Sequence, residues 1–176
     1  MSDSALDPEI EALMTNDVRS WIGRTTELLT LPEEISASDL RRYTDATGDE
    51  NPLWTNDEAA RAAGYRARVV PPMMVLDLSW RLSDTQSGHL WLKIPLPPEY
   101  NDVRNADMEV EWFAPVYLGD RLAVRHRIVD IVAKRGRRGL GAYIARESEH
   151  FNQGGTLIAR VNAVVARFPR ARLEAG

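Results

Sequence analysis

Cysteine is absent from the 176 residues. That excludes a disulfide framework, a thiolate nucleophile and a thiolate-bound metal. Histidine is scarce: His89, His126 and His150 are scattered, with no spacing from which a histidine metal site would be built. An excess of positive charge is lacking too. The formal charge is −4, and no basic stripe with interleaved aromatics occurs, so nothing favours a nucleic-acid partner. Long apolar runs are missing as well. The longest, residues 69–82, is broken by Pro71, Pro72, Asp77 and Ser79 and is too short to span a bilayer. Met1 to Pro8 is polar and acidic, without the basic and apolar regions of a signal peptide. These absences lead us to expect a cytoplasmic protein with no membrane partner.

What is present fits one globular domain spanning 1–176. An apolar share of 44% and a charged share of 27% are ordinary for a soluble fold, and the length allows a real core. Asp7-Pro8 reads as a cap with proline at the first helical position. Ile10, Leu13, Met14, Val18, Trp21 and Ile22 then recur at helical spacing up to Gly23, predicting one packing helix within 1–23. Thr25 to Ile35 reads as a short strand interrupted by Pro32. Ser36 to Asp39 has the form of a capping box for a helix that ends at Gly48, and Thr55-Asn56-Asp57-Glu58 that of a second, whose helix ends at Gly64. Pro71-Pro72 opens a helix over 71–82, apolar on nearly every side, which predicts a buried central helix. Ser83 to Asn105 has no period, and a loop of that length is usually functional or lid-like. From Ala106 to Phe168 the period is two, with turns at Gly119-Asp120, Lys134–Gly139 and Asn152–Gly155. Helices followed by long antiparallel strands predict an α+β fold, a sheet with one face on a buried helix.

The stretch Gly48-Asp49-Glu50-Asn51-Pro52-Leu53-Trp54 stands out. Pro52 fixes its own φ and pushes Asn51 toward extended geometry, so short polar side chains are held on a stiff turn between helices. Such a turn can aim a carboxylate. The bland alternative is an aspartate that braces a helix end.

Tyr43-Thr-Asp-Ala-Thr-Gly-Asp-Glu-Asn-Pro-Leu-Trp54 resembles the motif of MaoC-like hydratases, in particular the FAS1-like dehydratase N-terminal branch. The order of pieces agrees, down to the strand and turn Phe113-Ala-Pro-Val-Tyr-Leu-Gly-Asp120. The resemblance covers about residues 20 to 170. It implies a hot-dog fold, a curved antiparallel sheet wrapped around the central helix. It also implies reversible hydration of a trans-2-enoyl thioester, with coenzyme A entering as part of the substrate and no separate cofactor. In that family an Asp and a His on the motif handle the water and the α-proton, while an N–H at the start of the central helix binds the thioester oxygen.

Carried over residue by residue, the resemblance makes Asp49 and Asn51 the catalytic candidates. Trp54 falls where the family has its histidine, and an indole neither accepts nor releases a proton near neutral pH. Pro72 stands where the family has a glycine and has no N–H to offer; Met73, one residue on, is the substitute donor. Trp54, Pro72, Met73 and Trp80 are the substrate-contact candidates. The expectation is therefore a chain that lacks the catalytic histidine and pairs, as a heteromer, with a catalytic MaoC-like chain. The alternatives are a homodimeric hydratase or thioesterase using Asp49 with a base such as Glu50 or His89, and a non-catalytic acyl-thioester binding module. Asp77, mid-helix, is expected to be buried and hydrogen-bonded, His126 to face the packed side, and His150 to end a strand near a hairpin. Lys134 to Arg138 reads as a solvated tip or a phosphate contact. The segment 83–105, Trp80 and Trp91 are expected to set pocket size.

Overall fold

The computed structural model describes residues 7–86, 89–137 and 139–170. The N-terminal helix is two short ones, α1 (Pro8–Leu13) and α2 (Asn16–Arg19). Thr15 Oγ1 accepts the Val18 amide at 3.3 Å and starts a new helix where the apolar spacing suggested continuity. Leu13, Met14 and Val18 are nonetheless buried, so the packing role stands.

After the two-residue strand β1 (Leu29–Thr30), α3 (Ala37–Thr47) opens on the expected box: Ser36 Oγ accepts from Asp39 N, and Asp39 accepts from Ser36 N. Gly48 ends it with φ 66°. The next turn is tighter than expected. Asn51 Oδ1 accepts the Leu53 amide at 3.0 Å and, with Pro52 at the first position, starts a helix of its own, α4 (Pro52–Thr55). The second cap is accordingly Asn56, not Thr55, and it opens α5 (Asp57–Ala62).

The central helix α6 (Pro72–Gln86) runs four residues beyond the expected end. It is not buried all round. Met74, Val75, Ser79 and Leu82 form a buried stripe, whereas Met73 is 56% exposed and Trp80 41% exposed. Asp77 lies off the buried stripe and pairs with Arg81 one turn along at 2.9 Å, which corrects the expected buried carboxylate.

The sheet has the order β1-β3-β4-β5-β2, antiparallel throughout, with β2 (Asp102–Trp112), β3 (Ala123–Gly136), β4 (Gly139–Phe151) and β5 (Leu157–Phe168). One end of α6 and its neighbours pack on Leu40, Val70, Leu122 and Ile158. The other end of the sheet holds Leu13, Val18, Ile128, Ile144 and Val165. β2 alternates in sequence but not in burial: among the described residues it pairs only with β5, and Met108 and Trp112 are exposed. An edge strand needs cover on its outer side before alternation becomes burial.

The expected lid is also corrected. Leu90–Lys93 is a 3-10 turn, and Trp91, Ile94, Leu96 and Tyr100 are core residues. Arg167 ties this segment to the sheet, donating from Nε to Tyr100 O (2.9 Å) and from Nη1 to Ile94 O (3.1 Å). At the β3–β4 tip Arg135 is engaged by Asp7 (3.0 Å) and Glu9 (2.6 Å), so part of the basic tip is neutralised internally; Arg138 lies outside the described residues.

Gly48 tests how the site turn is held. A Cβ built there meets no atom within 4 Å, so Gly48→Ala should cost conformational energy alone. The expected loss is about 1 kcal/mol, read as a lower urea midpoint at unchanged slope.

Candidate functional site

The left-handed Gly48 turns the chain so that Asp49 N donates back to Thr44 O at 3.2 Å. Asp49 then serves its own turn. Its Oδ1 accepts from Asn51 N (3.1 Å), and its Oδ2 accepts from Trp54 Nε1–H (2.9 Å). The turn is stiff, as the sequence predicts, but both carboxylate oxygens are occupied within it. Asn51 is a helix cap. Glu50 is exposed.

Trp54 packs with Leu40, Val70 and Val116, and with Pro72 it lines a cavity of about 340 Å³ whose other walls include Tyr65, Val75 and Phe113. The structure thus brings Trp54 and Pro72 together and attaches Asp49 through the indole. Met73 is the first residue of α6 with an N–H; its side chain is exposed and lines no part of this cavity. Trp80 is in a different place altogether.

That place is a second cavity, of about 320 Å³, between α6 and the inner face of the sheet. Strand β4 makes it. Ile144, Arg146, Ser148 and His150 all face inward, alternating with Ala145, Glu147, Glu149 and Phe151. Across the ladder to β5, Arg146, Ser148 and His150 stand opposite Ala163, Val161 and Ala159, small enough to leave space. His126, opposite Ser148 on β3, engages its Oγ through Nδ1 at 2.7 Å, and Arg146 Nη1 donates to the same oxygen at 3.2 Å. His150 Nδ1 lies 2.8 Å from Ser79 Oγ, which also bonds the Val75 carbonyl one turn back at 2.9 Å. Trp80 and Trp91 close the remaining side.

His126 is in the core, as expected. His150 is one residue from the end of β4, beside the hairpin, as expected, and His89 lies between α6 and the 3-10 turn. His150 is an inward cavity residue, and His89 is buried, stacked on Trp91 (4.4 Å) and beside Trp80 (4.3 Å), so it does not swing from a loop. Burial first, then the Arg146 charge, lowers His126 to about 3 and His150 to about 4. Both rings are neutral at pH 7. Arg146, Ser148 and Ser79 are absent from the sequence-level candidates. The period-two pattern around Ile144 was the available signal, but a polar residue on a strand reads first as outward-facing. Among the described residues no group of three or more His, Asp or Glu is placed to hold a metal.

Comparison with known proteins adds the following. Residues 20–161 match the family described as FAS1-like, dehydratase domain region. A UPF0336 protein of Streptomyces avermitilis is 29% identical over 149 residues, covering 85% of this chain and 94% of that protein. A probable enoyl-CoA hydratase alpha subunit of Thermomonospora curvata is 25% identical over 169 residues, covering 89% of this chain but 52% of the subunit, so the chain spans about half its length. Among solved structures, the ChsH1-ChsH2 complex from Mycobacterium tuberculosis contains a chain similar at a TM-score of 0.71 and 20% identity, with 93% of each chain covered. A likeness at that identity establishes the hot-dog fold.

The neutral histidines carry a stability signature. Each has a folded pKa below the unfolded value of about 6.5, so below that pH the unfolded chain binds more protons. Stability therefore falls as pH drops from 6.5, by roughly 1.4 kcal/mol per pH unit for each ring, until its folded pKa is reached. Urea midpoints should fall between pH 7 and pH 5, and the fall should shrink in His126→Asn and His150→Asn. An unchanged midpoint in the parent chain would contradict neutral rings.

Proposed function

Because this chain belongs to the FAS1-like dehydratase family of MaoC-like hot-dog proteins, we propose that it is a subunit of an (R)-specific enoyl-CoA hydratase or 3-hydroxyacyl-thioester dehydratase. In this reading it lacks the catalytic histidine and pairs with a MaoC-like chain that supplies it. The observation that carries the reading is the 2.9 Å hydrogen bond from Trp54 Nε1–H to Asp49 Oδ2. Hydration needs two groups that hold one water and exchange a proton. An indole N–H only donates, and here it occupies the one carboxylate that the motif retains.

Further features support the pairing. Pro72 removes the amide that would meet the thioester oxygen, leaving Met73 as the nearest donor on α6. Met73 and Trp80 on α6, with Met108, Trp112 and Phe113 on and after β2, leave apolar surface exposed beside an unpaired strand edge. Such surface and such an edge call for a partner. The names of two similar proteins, an alpha subunit and a two-component complex, fit a division of labour. The acyl thioester then lies along Trp54 and Pro72 with the Met73 amide as its donor, and coenzyme A enters only as part of the substrate. We place this activity in the cytoplasm.

The test is hydration of a trans-2-enoyl-CoA by the chain alone, by a MaoC-like partner encoded beside it, and by the two together. The lone chain should be inactive and the pair active. Asp49→Ala in the pair should change kcat by less than about threefold, while lowering the chain's stability by about 1–2 kcal/mol through the loss of two accepted hydrogen bonds. A lone chain that hydrates the substrate, and loses activity in Asp49→Ala, would overturn the reading. Thiol release from acyl-CoA, or tight thioester binding without turnover in every combination, would point instead to a thioesterase or a binding module.

A further inference from the structure

The cavity behind α6 holds a cation, Arg146, that no acid among the described residues pairs with. Arg146 is 8% exposed, and no ion pair holds it among the described residues. Burial draws its pKa down to about 10, so it stays charged at neutral pH. Nη1 is spent on Ser148, and the ring of Trp91 lies 4.2 Å from the guanidinium carbon. Nε is buried and makes no hydrogen bond; so is His150 Nε2, on a residue only 3% exposed that lines the same cavity. A buried charge and two buried ring or guanidinium nitrogens left unsatisfied are costly unless something fills the space.

We propose that this cavity binds a small amphipathic monocarboxylate, its carboxylate on the free edge of Arg146 and its tail against Leu76, Trp80, Met108 and Val161. The guanidinium suits that partner, since Nε and Nη2 form the edge that takes both oxygens of a carboxylate. The ring of Trp91 lies against the group, 4.2 Å from its central carbon. The remaining lining is mainly apolar, and about 320 Å³ suits a tail of about six to eight carbons. Asp107 is the one acid on the lining; it is exposed and accepts from Met108 N at 2.9 Å. This site shares no lining residue with the Trp54–Pro72 cavity, and it does not depend on the hydratase reading.

Hexanoate and its neutral counterpart hexanamide, titrated into the full chain without a partner, test the proposal. Trp80 and Trp91 make tryptophan fluorescence a direct readout, with calorimetry as the second. Hexanoate should bind saturably and at least tenfold more tightly than hexanamide. Arg146→Met, checked for folding by circular dichroism, should abolish that preference. If Arg146→Met does not fold, Ala163→Leu, directly opposite Arg146 on the ladder, fills the cavity while keeping the arginine and should abolish binding of both. Equal affinity for acid and amide, no saturable hexanoate binding, or binding that appears only in Asp107→Asn would overturn the proposal. Any of these leaves the hydration experiment unaffected, so the two can fail separately.

Discussion

One stripe of α6 has to be covered, and the rest of the chain is arranged to do it. Met74, Val75, Ser79 and Leu82 lie where residues of that spacing share a helix face, and each is nearly inaccessible to solvent. The curved sheet covers this stripe from below, and α3 and α4 cover its first turn. Ser79 in the middle of the stripe is small and polar. It gives His150 of β4 a partner at 2.8 Å where a leucine would have filled the space. The same stripe leaves the opposite face of α6 without cover, so Met73 and Trp80 remain exposed. One constraint therefore produces both an interior polar cavity and an exterior apolar face.

The Asp49 turn is a separate device, built almost entirely from local hydrogen bonds. Each bond spans five residues or fewer: Gly48 sets the direction, Asp49 and Asn51 cap successive amides, and the indole of Trp54 closes the loop. A bond to a charged acceptor contributes on the order of 1.5–3 kcal/mol, less where water competes, as at this half-buried position. Such a turn can persist for its stabilising value alone. That is why keeping an aspartate in the motif does not by itself establish catalysis, and why the residue facing it decides the matter.

What was legible in the sequence follows this division between local and distant causes. The capping box at Ser36, the left-handed Gly48 and Gly64, the hairpins and the order of helices before strands were all readable, because each depends on a few neighbouring residues. The break at Thr15 and the extra helix at Pro52 were missed because a cap competes with an apolar period, and the cap won. The segment after α6 looked aperiodic. Its order comes from Arg167, more than sixty residues away, donating to its carbonyls. On β2 the alternation was real, but alternation names a face and cannot say whether anything covers it.

The polar cavity was the least legible feature, for a physical reason. Strand β4 reads Ile-Ala-Arg-Glu-Ser-Glu-His, and its period of two fits either face as the buried one. Outward-facing glutamates settle the choice. Glu147 and Glu149 lie near Arg160, and Glu149 also pairs with Arg125, a surface network that holds the charged side of the strand in solvent. With the glutamates outside, Arg146, Ser148 and His150 have to be inside, whatever their polarity. Small residues at Ala159 and Ala163 then leave them room that no side chain among the described residues fills. A strand that buries its arginine and turns its half-buried glutamates to the outer face separates the charges that would otherwise neutralise each other. The interior is left positive, and a carboxylate brought from outside is the group that would complete it.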